Sequence, residues 1–256
     1  MKFFRVNKDE MPFLDHLEEL RWRLIWSLGS AILGAIIGYV VVTRFDVLGI
    51  LRAPIEPFLG GAKLGYLDPT TPFFITLKLA VIVGLILASP VIVYHVWAFL
   101  SPALMPSEKR AIIPSLYMGL VLFAAGVTMA YFLVVPMTLR FTMSFQTESL
   151  EPMITIDKHM GFMIRLLLAF GIVFELPVVI LILSVLGVVT PEFLADKRRY
   201  AIAAIAILSA VLTPGDVITV TVLMMVPLMA LYEFSIMLSR LVARRRIAAT
   251  AAAADS

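Results

Sequence analysis

Residues 161–189, which read GFMIRLLLAFGIVFELPVVILILSVLGVV, decide the fold class of this chain. A helix needs about 20 apolar residues to cross the roughly 30 Å hydrocarbon core of a bilayer. This run is longer than that, and its only charged side chains are Arg165 and Glu175. Because a bilayer core offers no water to backbone groups, a span must satisfy them internally, as a helix does. The stretch therefore predicts a transmembrane helix.

The other apolar runs bring the predicted number of spans to six. The last run, residues 200–238, is interrupted by the turn sequence Thr213-Pro214-Gly215-Asp216, which predicts a helical hairpin. The first arm of this hairpin, 200–212, is about 20 Å long and so is shorter than a bilayer is thick. The remaining spans are predicted at 24–43, 73–100 and 111–139.

Composition excludes a water-soluble protein. Hydrophobic residues make up 61% of the 256 residues and charged residues 15%, against about 25% charged residues in soluble domains. No linker separates the apolar runs, so we expect one all-α membrane domain over 1–256, with its last two helices short. Within it, 1–21 is predicted to be a cytoplasmic amphipathic segment and 240–256 a cytoplasmic basic tail, with a disordered alanine run at 249–254. The chain has no cysteine, which excludes disulfides and thiolate sites.

The placement of lysine and arginine predicts the orientation of the spans. Fourteen of these residues lie in the two terminal segments and in the loops at 109–110 and 197–199, whereas five lie in the alternate loops. Basic residues accumulate in cytoplasmic loops. Both termini are therefore predicted to be cytoplasmic. The long loops 44–72 and 140–160 then lie outside, where we expect a compact cap.

The segment PFLDHLEELRWRL, residues 12–24, has the period of an amphipathic helix on the cytoplasmic interface. One stripe carries Phe13, Leu17, Leu20 and Leu24, whereas Asp15, Glu18 and Glu19 fall on the other side. Glu19 is open to two interpretations. It pairs with Arg23 one turn later on a solvated face, or it belongs to an anionic surface that holds a cationic ligand.

The sequence FLSPALMPSEKR, residues 99–110, forms the predicted cytoplasmic loop between spans two and three. Ser107 and Glu108 precede span three, where such residues stabilise a helix N-terminus. Capping is one interpretation of Glu108. The other is a second cytoplasmic carboxylate that, near Glu19, would suit a pair of arginines, because a guanidinium binds a carboxylate through two parallel hydrogen bonds.

Glu175 lies near the middle of the fourth span, in FGIVFELP at 170–177, where a charge costs about 2.5–3.5 kcal/mol or more. Pro177 removes a donor from the helix and frees a backbone carbonyl. Glu175 therefore either satisfies freed backbone groups or faces a wet, functional cavity. We expect the cavity.

No residue pattern predicts an enzyme, a cofactor or a metal centre. His16, His95 and His159 lack ligand spacing, and the sequence has no Gly-x-Ser-x-Gly or His-Glu-x-x-His motif. Two other function classes stay open on the residues alone. A proton-coupled small-solute transporter is supported by Glu175 and the six spans but lacks internal repeats. An intramembrane hydrolase would need a facing nucleophile and base.

Four ordered motifs resemble the TatC family, the multi-span subunit of the twin-arginine protein translocase. The similarity covers about 13–238, which is nearly the whole chain. The motifs are HLEELRWRL at 16–24, residues 99–108, residues 170–177, and LTPGD at 212–216 followed by Pro227 and Tyr232-Glu233.

The resemblance implies a cup-shaped bundle of six transmembrane helices in the cytoplasmic membrane of a prokaryote. Its cytoplasmic face would bind the paired arginines in the signal peptides of folded cargo proteins. The implied partners are TatA- and TatB-like single-span subunits, further copies of the chain, and membrane lipid, with no nucleic acid. The implied energy source for export is the proton-motive force.

The resemblance also assigns roles to individual residues. The chain departs from the family pattern at Lys109, Gly215 and Val220, where arginine, proline and glutamine are common. The implied set is Glu19, Glu108, Arg21, Phe99 and Pro102 for signal-peptide binding, Glu175 for the concave membrane face, and Thr213, Pro214, Asp216, Pro227 and Glu233 for a partner-docking hairpin.

Overall fold

The computed structural model describes residues 11–101, 106–144, 153–212 and 218–254. Within these residues the regular structure is helical, apart from an isolated bridge between Gly65 and Thr155, which confirms the all-α class. The helices are α1 (Met11–Arg44), α2 (Val47–Arg52), a 3₁₀ helix (Ala53–Phe58), α3 (Thr71–Leu100), α4 (Pro106–Met129), a π turn (Ala130–Val134), α5 (Val135–Ser144), α6 (Ile156–Val173), α7 (Leu176–Val185), α8 (Pro191–Asp196), α9 (Arg198–Leu212) and α10 (Ile218–Ala254).

Five helical segments in the described part of the chain are long and apolar enough to cross a membrane. A sixth, α9, has 15 residues and is therefore about 22 Å long. Six helical segments thus occupy the positions of the six predicted spans, and the first arm of the hairpin starts only two residues earlier than predicted. The five long segments are His16–Arg44, Thr71–Phe99, Ile112–Ser144, Ile156–Val185 and Met224–Leu241.

The helices form two compact units, Met1–Leu48 with Pro72–Met105, and Gly49–Thr71 with Pro106–Ser256. The prediction of a single membrane domain stays a prediction.

In the first unit, α1 and α3 cross through a glycine seam, which we define as Gly34, Gly38 and Gly84. A Cβ atom on any of the three would collide with the backbone of the facing helix. Small residues let membrane helices approach this closely.

Helix α1 joins the predicted amphipathic segment to the first span without a break. Leucine, glutamate and arginine dominate the junction and have high helix propensity, so nothing there interrupts the helix. The helix ends at Arg44, and Asp46 then adopts a φ of 45°. Aspartate is one of the few residues other than glycine that tolerate this left-handed conformation.

Two spans of the second unit are less regular than the sequence predicts. The third was predicted as one helix but contains the π turn between α4 and α5, where the Val135 amide donates to Ala130 five residues earlier. Pro136 has no amide to continue the ordinary ladder, and a wider turn accommodates it. The fourth span breaks at Phe174 and Glu175, two residues before Pro177.

The first long loop is tied to the spans of the second unit by backbone carbonyls. The Tyr131 hydroxyl donates to the Ile50 carbonyl at 2.7 Å, and His159 Nε2 lies 3.0 Å from the Leu51 carbonyl. Gly65 exchanges backbone hydrogen bonds with the segment 154–156. This packing is what a compact cap requires, although 145–152 of the second loop lie outside the described residues.

The expectation of a disordered alanine run is wrong. Residues 249–254 form the last turns of α10, because alanine has the highest helix propensity of the amino acids. The predicted basic tail from Arg240 onward therefore continues span six as one helix up to Ala254.

Candidate functional site

The Glu19 carboxylate lies near the N-terminal end of α1 and is held by Arg23. Arg23 Nε donates to Glu19 Oε1 at 2.9 Å, and Arg23 Nη2 donates to the same oxygen. The second oxygen, Oε2, lies 3.6 Å from His16 Nδ1. The i,i+4 interpretation of Glu19 is therefore correct in geometry, and among the described side chains His16 is the one recorded beside the second oxygen.

His16 connects Glu19 to the end of α3. Its ring stacks on Phe99 with centroids 4.4 Å apart and planes inclined by 12°. Both residues belong to the first unit. The stack thus brings two residues of the implied signal-peptide set, Glu19 and Phe99, into one cluster. We call His16, Glu19, Arg23 and Phe99 the α1 cluster.

The structure describes the other members of the implied signal-peptide set only in part. Arg21 is exposed and forms no ion pair with any side chain in the described ranges. Glu108 lies in the first turn of α4, as a capping role requires, but its side chain is outside the described part. Pro102 lies outside the described residues.

Glu175 occupies the break between α6 and α7 and is half-buried. Its Oε2 lies 2.7 Å from the point that a Cβ on Gly119 of α4 would occupy. Among the described side chains, none forms a hydrogen bond or an ion pair with this carboxylate. Gly119 thus leaves a notch in α4 that the carboxylate fills.

The hairpin of α9 and α10 is clamped by an ion pair. Arg198 Nε lies 2.8 Å from Glu233 Oε1, and Arg198 Nη2 donates to Oε2 at 2.9 Å. This is the fork-on-fork geometry that a guanidinium forms with a carboxylate. The pair thus joins Glu233 of α10 to the start of α9, 35 residues earlier in the chain.

Two further polar contacts hold α10 in the second unit. The Tyr232 hydroxyl donates to the Leu194 carbonyl of α8 at 2.8 Å, and Ser184 donates to Ser239 at 2.8 Å in a buried position. Pro227 lies inside α10. The hairpin residues Thr213, Pro214 and Asp216 lie outside the described residues.

Sequence reasoning missed His16, Gly119 and Arg198 as site residues. His16 stands three residues before Glu19 on the same helix face, and that spacing was available as a signal. Gly119 and Arg198 act on residues far along the chain, so no local pattern could have identified them. No group of three potential metal ligands lies together in the described ranges.

Comparisons with known proteins give one consistent family. The family described as "Sec-independent protein translocase protein (TatC)" matches residues 15–227. The TatC protein of Aquifex aeolicus is 40% identical over 238 residues, covering 92% of this chain and 98% of that protein. The TatC protein of Escherichia coli K12 is 35% identical over 236 residues, covering 91% of this chain and 90% of that protein.

A solved structure agrees with these relatives. The crystal structure of the twin arginine translocase receptor TatC superposes with a TM-score of 0.74 and 41% identity, covering 89% of this chain and 99% of that chain. The family match, residues 15–227, includes the first three motifs singled out in the sequence, and LTPGD at 212–216 and Pro227 of the fourth, whereas Tyr232 and Glu233 lie beyond its end.

Proposed function

This chain belongs to the TatC family of Sec-independent protein translocase proteins, and from this we propose that it is the receptor for twin-arginine signal peptides within its translocase. The chain is a multi-pass membrane subunit of a protein translocase. In our proposal it binds and positions cargo and carries out no chemical reaction of its own. The proton-motive force would drive export of the folded cargo.

The α1 cluster is the observation that carries this proposal. It offers a carboxylate near the start of α1 whose two oxygens face Arg23 and His16, with the Phe99 ring stacked on His16. Guanidinium groups recognise carboxylates through directed, charge-assisted hydrogen bonds. An arginine pair in a signal peptide could bind Glu19 with one member and Glu108 with the other.

The proposed location is the cytoplasmic membrane of a prokaryote, with both termini in the cytoplasm. The uneven distribution of basic residues between alternate loops supports this orientation. It places the α1 cluster and the first turn of α4 on the side of the membrane where cargo is made.

The proposed partners dock along the hairpin. These are TatA- and TatB-like single-span subunits, with further copies of this chain in the complex and lipid around the spans. Thr213, Pro214, Asp216, Pro227 and Glu233 are the proposed docking residues, and the Arg198–Glu233 clamp would keep the two arms in one register. The alternative of a small-solute transporter rested on Glu175 and the six spans, and no further observation favours it.

Peptide binding tests the proposed receptor function. The full chain in lipid nanodiscs is titrated with a fluorescent Arg-Arg signal peptide and with its Lys-Lys counterpart. The wild type should prefer the Arg-Arg peptide, because lysine lacks the planar fork. Glu19→Ala and Glu108→Ala should each weaken Arg-Arg binding about tenfold, and the double variant should weaken it more.

Glu56→Ala is the matched control, since Glu56 also pairs with an arginine four residues away. It lies in the first long loop, which the proposed orientation puts on the other side of the membrane from Glu19. Its affinity should equal that of the wild type. Unchanged affinity in the double variant, or no preference for Arg-Arg in the wild type, would overturn the proposal.

A further inference from the structure

The turn from α8 into α9 carries three consecutive basic residues, which are held in two different ways. Arg198 forms the ion pair with Glu233 described above. Lys197 and Arg199 are exposed, and neither forms an ion pair with any side chain in the described ranges. The positive charge of these two residues is therefore not neutralised in the way that the charge of Arg198 is.

Aromatic rings hold these two cations instead. Lys197 Nζ lies 5.8 Å from the centre of the Phe193 ring and 5.3 Å from the centre of the Tyr200 ring. Arg199 Cζ lies 4.8 Å from the centre of the same Tyr200 ring, and Arg199 Nη2 donates to the Tyr200 hydroxyl at 3.0 Å. Because both cations border one ring, their charged groups are at most about 10 Å apart. We call Phe193, Lys197, Arg199 and Tyr200 the α8–α9 corner.

The α8–α9 corner keeps most of its hydrogen-bond donors available. An ammonium has three N–H donors and a guanidinium five, and a ring face attracts the charge without accepting these donors as an oxygen would. Among the described residues, the Tyr200 hydroxyl is the one recorded acceptor for them. Two close cations with unused donors suit a ligand that carries several anionic oxygens, and phosphate is such a ligand.

The α8–α9 corner lies at the depth of a membrane surface. The ion pair of Arg198 sets the start of α9 beside Glu233, and the apolar segment Met224–Leu241 of α10 continues about two turns past Glu233. Phe193 and Tyr200 are 53% and 55% exposed. Exposed aromatic rings beside basic residues are typical of the boundary between lipid and water. The phosphate that is abundant at this depth belongs to lipid headgroups.

A further basic residue extends this positive surface along α10. Arg240 is exposed and forms no ion pair with the side chains that the structure describes. It follows Glu233 by about two turns, so the two residues share one face of α10. The side of α10 that meets the start of α9 therefore stays positive towards its C-terminal end.

We propose that the α8–α9 corner binds the headgroup of an anionic phospholipid, with Lys197 and Arg199 donating to the phosphate oxygens. Lipid that merely surrounds the spans needs no defined site, whereas this site has named donors and a headgroup preference. A zwitterionic headgroup brings an ammonium that the two cations repel, and an anionic headgroup does not. The inference does not depend on signal-peptide binding, so either can fail alone.

The test measures lipid binding to the full chain by native mass spectrometry. The detergent-solubilised protein is titrated with phosphatidylglycerol and with phosphatidylcholine of the same acyl chains. The wild type should bind phosphatidylglycerol about fivefold more tightly, and the double variant Lys197→Gln with Arg199→Gln should lose this preference. Arg140→Gln is the matched control, because Arg140 is an exposed cation on α5. It should keep the wild-type preference.

Variants of Tyr200 test the role of the ring. Tyr200→Phe keeps the ring that borders both cations and should keep most of the preference, whereas Tyr200→Ala removes the ring and should reduce the preference. A third titration uses glycerol 3-phosphate, which carries the phosphate without acyl chains and should bind far more weakly than the lipid. Thermal midpoints close to that of Arg140→Gln show that the variants keep the fold.

Three results would overturn the inference. An unchanged preference in the double variant would show that Lys197 and Arg199 do not bind the headgroup. An equal loss of affinity for both lipids would mean that the two residues act only on the fold. Equal affinity for glycerol 3-phosphate and phosphatidylglycerol would make the α8–α9 corner a site for soluble phosphates rather than for lipid.

Discussion

At the scale of single residues, Glu175 places a carboxylate inside a span, and Gly119 leaves the space that the carboxylate fills. A charge in hydrocarbon is costly unless water or a partner compensates it. The described side chains supply no partner, so the notch in α4 fixes where the carboxylate can lie. The flexible end of a glutamate moves easily, which makes position 119 a site where function can change without loss of the fold.

Gly119→Ala should therefore reduce export while leaving the thermal midpoint close to that of the wild type. The added methyl would press on Glu175 Oε2 from 2.7 Å, and the carboxylate would have to move. Export of a twin-arginine reporter in cells lacking their own TatC measures the effect. Gly29→Ala is the control, because a Cβ there meets nothing within 4 Å. Equal export by the two variants would contradict the prediction.

Solvent access at Glu175 is testable because the chain has no cysteine, so one introduced thiol is the only one present. A thiol at position 175 should react with a membrane-impermeant, water-soluble maleimide faster than a thiol at position 173 or 176. The expectation follows from the wet cavity that a half-buried carboxylate needs. Equal protection of all three positions would show that Glu175 faces no water.

At the scale of elements, each unit has its own way of fixing helices against one another. The first uses the glycine seam, where backbones approach without intervening side chains. The second clamps its short hairpin with Arg198 and Glu233. A seam depends on shape and a clamp on charge, so the two should respond to different substitutions.

Gly84→Val should destabilise the first unit by about 1–3 kcal/mol, the usual cost of overpacking a close contact. The new side chain would collide with the backbone of Gly34 and Ala35, which cannot move aside as a flexible side chain can. Thermal unfolding in detergent measures the change, with Gly29→Val as the variant that meets open space. A midpoint for Gly84→Val equal to that of Gly29→Val would refute the close crossing.

Arg198→Glu and Glu233→Arg should each weaken co-purification of a single-span partner subunit, and the double exchange should restore it. Each single variant places like charges together at the clamp, whereas the exchanged pair remakes the ion pair. The pair is exposed, so the stability change should stay within about 1 kcal/mol. If the double variant binds the partner no better than either single variant, the clamp does not hold the docking edge.

At the scale of the whole molecule, the predicted orientation follows from where the basic residues lie. A reporter fused after Ser256 should be active only in the cytoplasm. The same reporter inserted beside Lys63, in the first long loop, should be active only outside. Activity of both on one side of the membrane would contradict six spans and the predicted orientation together.

The sequence predicts the spans well because apolar length is a local property, readable in the residues that form each helix. The irregularities of the spans were not predicted. Pro136 and Pro177 are visible in the sequence, but whether a proline widens a turn or breaks a helix depends on its packing. The site contacts join residues that are far apart in the sequence. His16 contacts Phe99, and Arg198 contacts Glu233. No local sequence pattern covers such separations, so these contacts were not predicted.

Helix α1 carries Glu19 near its start and two glycines of the seam, Gly34 and Gly38, further along. The segment between them can therefore act as a lever. The 15 residues from Glu19 to Gly34 span about 22 Å of unbroken helix. With the seam as its fulcrum, a tilt of about 5° would carry the carboxylate by about 2 Å, the scale of a hydrogen bond made or lost. A ligand that pulls on Glu19 would therefore apply a torque at the glycine seam, because the N-terminal end of α1 and its crossing with α3 belong to one continuous helix.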